Sequence, residues 1–243
     1  MKILVDEKKL ARNARIARGI VLGVVAIAIG MMIAVLLGSS SPAFRNINPS
    51  MILIAEIVII AVLFGISRIG FVYANRYLAF NRPEKVLRDS LKGLDRKYAL
   101  MLFQKPTDYL LIEPGGITVL VPRGQEGAVI QAEGKWRYNR GFMRSWMGRD
   151  EAIGNPSADA QKAMADIKKV LDEKAPEIKV PLRAVIVFTH PRVALTAEPG
   201  PVTALRAEEL KDYLRAAGKL HELPKSIQRK MREALGAPDV ASE

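Results

Sequence analysis

From Ile20 to Leu37 the chain reads IVLGVVAIAIGMMIAVLL, eighteen residues without a charge or a hydroxyl. At about 1.5 Å per helical residue this run nearly crosses a hydrocarbon core of about 30 Å, so the pattern predicts a membrane-spanning helix. A second run, Met51 to Ser67, is interrupted only by Glu56 and leads into RIGFVYANRYLAF, whose Phe71, Tyr73, Tyr77 and Phe80 suit an interfacial aromatic belt. The expectation is a basic arm (residues 1–19), a transmembrane hairpin (20–72, spans about 20–38 and 51–72) and a juxtamembrane helix (73–90). The small residues GSSSPA after the first run leave a cleaved signal peptide as the rival reading. Against it, the run exceeds the ~7–15 apolar residues of such a segment, and a second run follows.

The periods then change. Asn81 is a candidate cap, and Val86, Leu87, Leu91 and Leu94 fall on one side of a helix. Tyr98–Phe103, Tyr109–Glu113, Ile117–Val121 and Ala128–Ala132 read as strands between Pro and Gly turns. The stretch KWRYNRGFMRSWMG is expected to form a hairpin turning at Asn139-Arg140-Gly141. Asn155, Pro156 and Asp159 open a helix whose Ala160, Met164, Ile167, Val170 and Leu171 have helical spacing. The continuous run Leu182–His190 predicts a central strand, parallel to an earlier one and reached through that helix. A helix over Val202–Gly218 and a basic helix and tail over 219–243 complete the expectation. The fold class is α/β: a transmembrane hairpin, then one mixed-sheet domain, residues 91–218, flanked by helices.

Charge refines this picture. Six cations precede the first run (Lys2, Lys8, Lys9, Arg12, Arg15, Arg18), Arg68, Arg76, Arg82, Lys85 and Arg88 follow the second, and the loop between has only Arg45. The positive-inside bias predicts a multi-pass protein of a bacterial-type inner membrane with both termini cytoplasmic. Of the net charge of +12, residues 83–243 carry +5 (27 Lys and Arg against 22 Asp and Glu), so much of the basicity lies beside the membrane and does not imply nucleic acid. The absence of cysteine excludes disulfides, thiol catalysis and thiolate metal sites, and two histidines, His190 and His221, offer little for zinc. His190, beside Pro191, reads as a capping or packing residue.

Four segments in order, TDYLLIEPGGITVLV, GAVI followed by Trp136, NPSADAQ and AVIVFT, resemble the nuclease-related domain (NERD) family, distantly related to restriction-endonuclease-like folds. The resemblance runs from about Leu91 to Ala216 and implies that fold for the domain. In active members of the superfamily one strand supplies an Asp and the next an acid-x-Lys, two carboxylates for a metal and an amine for the attacking water. Asp108 matches the first. Thirteen and fifteen residues on, where the resemblance puts Glu and Lys, this chain has Val121 and Arg123. Valine offers a metal no oxygen, and arginine stays protonated. A migrated site built from Asp108, Glu133 and Lys135, with Asp108 and Glu133 holding Mg²⁺ or Mn²⁺, is the alternative; otherwise no cofactor is expected, and Glu133-Gly134 is a solvated turn.

One stretch interleaves cations with aromatics: Lys135, Trp136, Arg137, Tyr138, Arg140, Phe142, Arg144, Trp146 and Arg149, with no acid between them. It suits nucleic acid, anionic lipid, or a solvated hairpin whose aromatics cover the core. Glu56 within a span suits a helix interface or a topology role better than an ion relay. Ala26-x-x-x-Gly30 and Ala61-x-x-x-Gly65 give each span a small-residue face for helix packing or homo-oligomerisation. The expected function is that of a catalytically inactive, membrane-anchored binding or scaffolding module. Its expected partners are the bilayer and a membrane protein complex, nucleic acid or anionic lipid. The alternatives are the migrated-site nuclease and a structural accessory subunit of a membrane complex.

Overall fold

The computed structural model describes residues 1–39, 48–77, 82–139, 152–218 and 222–237. Two compact units emerge, one comprising Met1–Lys9, Pro83–Phe142 and Asp150–Glu243, the other Leu10–Arg82 and Met143–Arg149.

The second unit contains nearly all of two long helices, α1 (Glu7–Ser39) and α2 (Pro49–Tyr77). Asp6 starts α1 by accepting from the Lys9 amide at 2.9 Å, with Glu7 favourable to the dipole in the first turn. Asn48 and Pro49 start α2 in the same manner, Asn48 Oδ1 accepting from the Ser50 amide at 3.0 Å. Both helices are long and apolar enough to cross a membrane, and most of their described apolar side chains are exposed. From Glu7 on, the expected basic arm and first span form one continuous helix, and α2 runs unbroken past residue 72, where the juxtamembrane helix was expected to begin. Glu56 is exposed on α2, and among the described residues nothing lies within 4 Å of a Cβ built on Gly30 or Gly65.

The first unit is a mixed α/β domain. Its six-stranded sheet has the order β1 (Lys2–Val5), β2 (Ala99–Leu102), β3 (Tyr109–Glu113), β4 (Gly116–Arg123), β7 (Leu182–Phe188), β9 (Thr203–Arg206). Only β3 runs against the others. The expected crossover is present: α4 (Pro156–Lys174) connects to β7, which pairs in parallel with β4 from Ile117↔Leu182 to Arg123↔Phe188. Asn155 caps α4 by accepting from the Ala158 amide at 3.1 Å. A three-stranded sheet, β6 (Lys135–Tyr138), β5 (Gly127–Ala132), β8 (Val193–Ala197), stands beside it.

Alternation along the strands buries both faces of the large sheet. On one face Met101, Leu110, Ile112, Val119, Val121, Ile186 and Phe188 form a core with Ala160, Ile167 and Leu171 of α4 and with Met231 and Leu235 of α6 (Lys225–Leu235). The opposite face buries Leu100, Leu102, Leu111, Val185 and Val187. Helices α3 (Pro83–Ser90) and α5 (Leu210–Gly218) carry fully buried Leu87, Leu210 and Leu214.

Two features depart from the sequence expectation. Residues 2–5, read as part of an arm, form β1, parallel to β2, and the Met1 ammonium donates to Leu94 O at 3.0 Å. The expected helix over Val202–Gly218 begins only at Leu210, because Thr203–Arg206 complete the exposed edge of β7 as a strand; tertiary pairing overrides local helical preference there. The turn expected at Glu133-Gly134 is present, both residues at positive φ (49° and 73°), and joins β5 to β6 in the geometry favoured by two-residue hairpins, while the further turn expected at Asn139-Arg140-Gly141 runs outside the described residues after Asn139. Asn81, Arg140, Gly141 and His221 lie outside the described residues.

Candidate functional site

Asp108 stands immediately before β3, where its carbonyl accepts from the Phe103 amide at 2.7 Å across a loop. Its carboxylate meets Lys9, 99 residues earlier in the chain, with Nζ to Oδ1 at 2.8 Å and both side chains about 30% exposed. A cation from the first turn of α1 thus sits against the Asp108 carboxylate.

The positions expected to hold the second acid and the lysine are occupied differently. Val121 is 7% exposed and belongs to the core. Arg123, at the end of β4, donates to Asp159 in the first turn of α4 and to Pro122 O at 3.1 Å. This ion pair fastens the end of a strand to the start of the crossover helix, and the guanidinium has no capacity as a base.

Glu133 and Lys135 are exposed on either side of Gly134 at the tip of the β5–β6 hairpin, in the smaller sheet, whereas Asp108 belongs to the larger one. The Glu133 amide donates to Glu198 Oε2 at 3.0 Å. Among the described residues no group of three or more His, Asp or Glu side chains is placed to hold a metal ion.

Along β6 the exposed cations Lys135 and Arg137 alternate with half-buried Trp136 and Tyr138. Trp136 packs against Phe188, ring centroids 5.9 Å apart, and its indole N–H donates to Ser157 Oγ at 2.9 Å. Tyr138 donates to Glu126 O at 2.9 Å. Both aromatics face the protein, and the two cations face solvent. Arg140, Phe142, Arg144, Trp146 and Arg149 lie outside the described residues. His190 Nδ1 accepts from the Arg192 amide at 3.2 Å, and its Nε2 lies 3.7 Å from Glu126.

A polar cluster not anticipated from sequence lies at the opposite end of β4 and β7. Glu113, 3% exposed, receives Arg183 Nη2 at 2.6 Å and the Thr118 hydroxyl, and Arg183 Nε reaches Thr118 Oγ1 at 2.7 Å. Arg183 also lies over the Tyr213 ring, 5.5 Å from its centroid. Burial, reinforced by the nearby Glu113 charge, pushes the Tyr98 phenol up from its ordinary value. Gly115, Gly116, Pro181, Leu182 and Gly218 join Glu113 and Arg183 around a cleft of about 240 Å³. Since both Glu113 oxygens are engaged, the cluster acts as a structural clamp between strands rather than as a poised acid or base. Its sequence signal is Arg183, a charge within an otherwise apolar strand. Compared with protein-family models, curated proteins and solved structures, the chain has no match in any of the three.

Proposed function

We propose that this chain is a membrane-anchored module, NERD-like in its α/β domain, that binds or scaffolds and does not hydrolyse nucleic acid. The observation that carries the reading is the use of the two decisive positions: Val121 fills the core, and Arg123 is bound to Asp159. Among the described residues no group of three or more His, Asp or Glu side chains is placed to hold a metal ion, and the Asp108 carboxylate already faces Lys9.

The anchor reading is supported by the two exposed apolar helices and by β1. Residues before α1 pair with residues after α2, which supports a reading in which both flanks lie on one side of the membrane and the crossings are even in number. The lysine and arginine bias makes that side the cytoplasm of a bacterial-type inner membrane. Candidate partners are the bilayer, a membrane protein complex, nucleic acid and a second copy of the chain.

The test uses the full chain in mild detergent, because a fragment starting at residue 83 would lack β1. Incubated with DNA or RNA and Mg²⁺ or Mn²⁺, it is expected to cleave no faster than its Asp108→Ala variant. Cleavage abolished by that substitution overturns the proposal, and further loss on Glu133→Gln would favour the migrated site.

A further inference from the structure

Lys9 of α1 is neutralised by Asp108, but the next three cations of that helix are not. Arg12, Arg15 and Arg18 are exposed, and among the described residues none of them meets a carboxylate. They recur every three residues and so lie on neighbouring positions of the helix surface, whereas Ala17, about 200° around the helix from Arg15, is fully buried. An arginine guanidinium remains charged at every accessible pH and presents paired donors that match the oxygens of a phosphate.

Position decides what these donors face. The apolar run begins at Ile20, so for a helix along the membrane normal Arg18, Arg15 and Arg12 stand roughly 3, 8 and 12 Å from its start. The headgroup layer extends roughly 5–8 Å beyond the hydrocarbon on each side, within reach of all three flexible side chains. We propose that Arg12, Arg15 and Arg18 form a binding site for the phosphodiester headgroups of anionic glycerophospholipids, a selectivity beyond the orienting role that positive charge alone would have. This inference rests on the membrane-anchored reading.

Vesicles of equal parts phosphatidylcholine and phosphatidylglycerol test it. The full chain is reconstituted, extracted in mild detergent, and the co-purifying lipid is quantified. The parent is expected to retain phosphatidylglycerol above its bulk proportion. Each single Arg→Gln substitution should lower that preference by up to roughly fivefold at low salt, and the triple variant should return it to the bulk ratio. A charge-matched control, Lys162→Gln, Lys168→Gln and Lys169→Gln on the exposed side of α4, should leave it unchanged. Undiminished enrichment in the triple arginine variant, or an equal fall in the lysine control, overturns the site. The anchor is tested separately by an alkaline carbonate wash of pure phosphatidylcholine vesicles. Retention of the parent there without arginine-dependent enrichment sinks the headgroup site alone. Release there, with arginine-dependent binding to phosphatidylglycerol vesicles, sinks the anchor and keeps the site.

Discussion

At the scale of single residues, the junction between the β3–β4 turn and β7 leaves no room for a side chain on Gly116. Gly116 has φ of 151°, and a Cβ there would come 2.4 Å from Pro181 O, the carbonyl that accepts from the Ile117 amide at 2.9 Å. Gly116→Ala is therefore expected to cost more than about 2 kcal/mol, since a backbone clash adds to left-handed strain of about 1–2 kcal/mol. Gly134→Ala, with positive φ but open space, should cost only the strain. Thermal unfolding of the full chain in detergent compares the two, and equal losses would refute the close-approach argument. Beside Gly116, removal of Arg183 strands the buried Glu113 carboxylate. Arg183→Ala should cost roughly 3 kcal/mol, at the low end for a buried pair because the guanidinium is 34% exposed, and Glu113→Leu with Arg183→Met should recover most of it. A double variant as unstable as the single one would show that the pair contributes more than mutual neutralisation.

At the scale of elements, α6 packs into the core through Met231 and Leu235, and surface ion pairs hold its flanks. Lys230 Nζ meets Glu177 at 2.8 Å, and Lys97 Nζ meets Glu222, three residues before the helix, at 2.8 Å. The hydrogen bond from Lys97 holds Glu222 below the usual carboxylate range, and that from Lys230 does the same for Glu177. A depressed folded-state pKa means that the contribution is present above the ordinary carboxylate value and is lost as pH falls through the depressed one. Glu222→Gln should thus lower the unfolding midpoint slightly at neutral pH, and the deficit should shrink on acidification. A deficit independent of pH would assign the effect to packing. The other end of the helical layer shows how local pattern misleads. Thr203–Arg206 continue a helical-looking segment, yet the unpaired edge of β7 makes them a strand.

At the scale of the molecule, Lys2–Val5 pair with Ala99–Leu102, so segments that precede α1 and follow α2 in the chain belong to one sheet. Leu4 packs against the domain core, and the chain from Asp6 to Tyr98 is the connection between parallel strands β1 and β2. Leu4→Pro removes a backbone donor and a core side chain, so it should destabilise the domain by roughly 3 kcal/mol or more. A fragment lacking residues 1–82 should expose the edge of β2 and self-associate, as measured by sedimentation. Because the chain has no cysteine, single substitutions Lys8→Cys and Lys168→Cys give clean labels. An impermeant maleimide should reach both from the same side of sealed vesicles, and labelling from opposite sides would contradict an even number of crossings.

The sequence by itself determined what is written in contiguous residues: two apolar helices, the Asn155 cap and stripe of α4, and the central strand β7. Each depends on periodicity, capping or side-chain chemistry within a few turns of chain. Only the tertiary structure decided that KILV is a strand, that Lys9 faces Asp108 across 99 residues, that Arg123 grips Asp159, and that Glu113, Thr118 and Arg183 share one clamp. Those pairings join groups with no local period in common. Their energy comes from burial and charge neutralisation that exist only once the sheet has brought distant residues together.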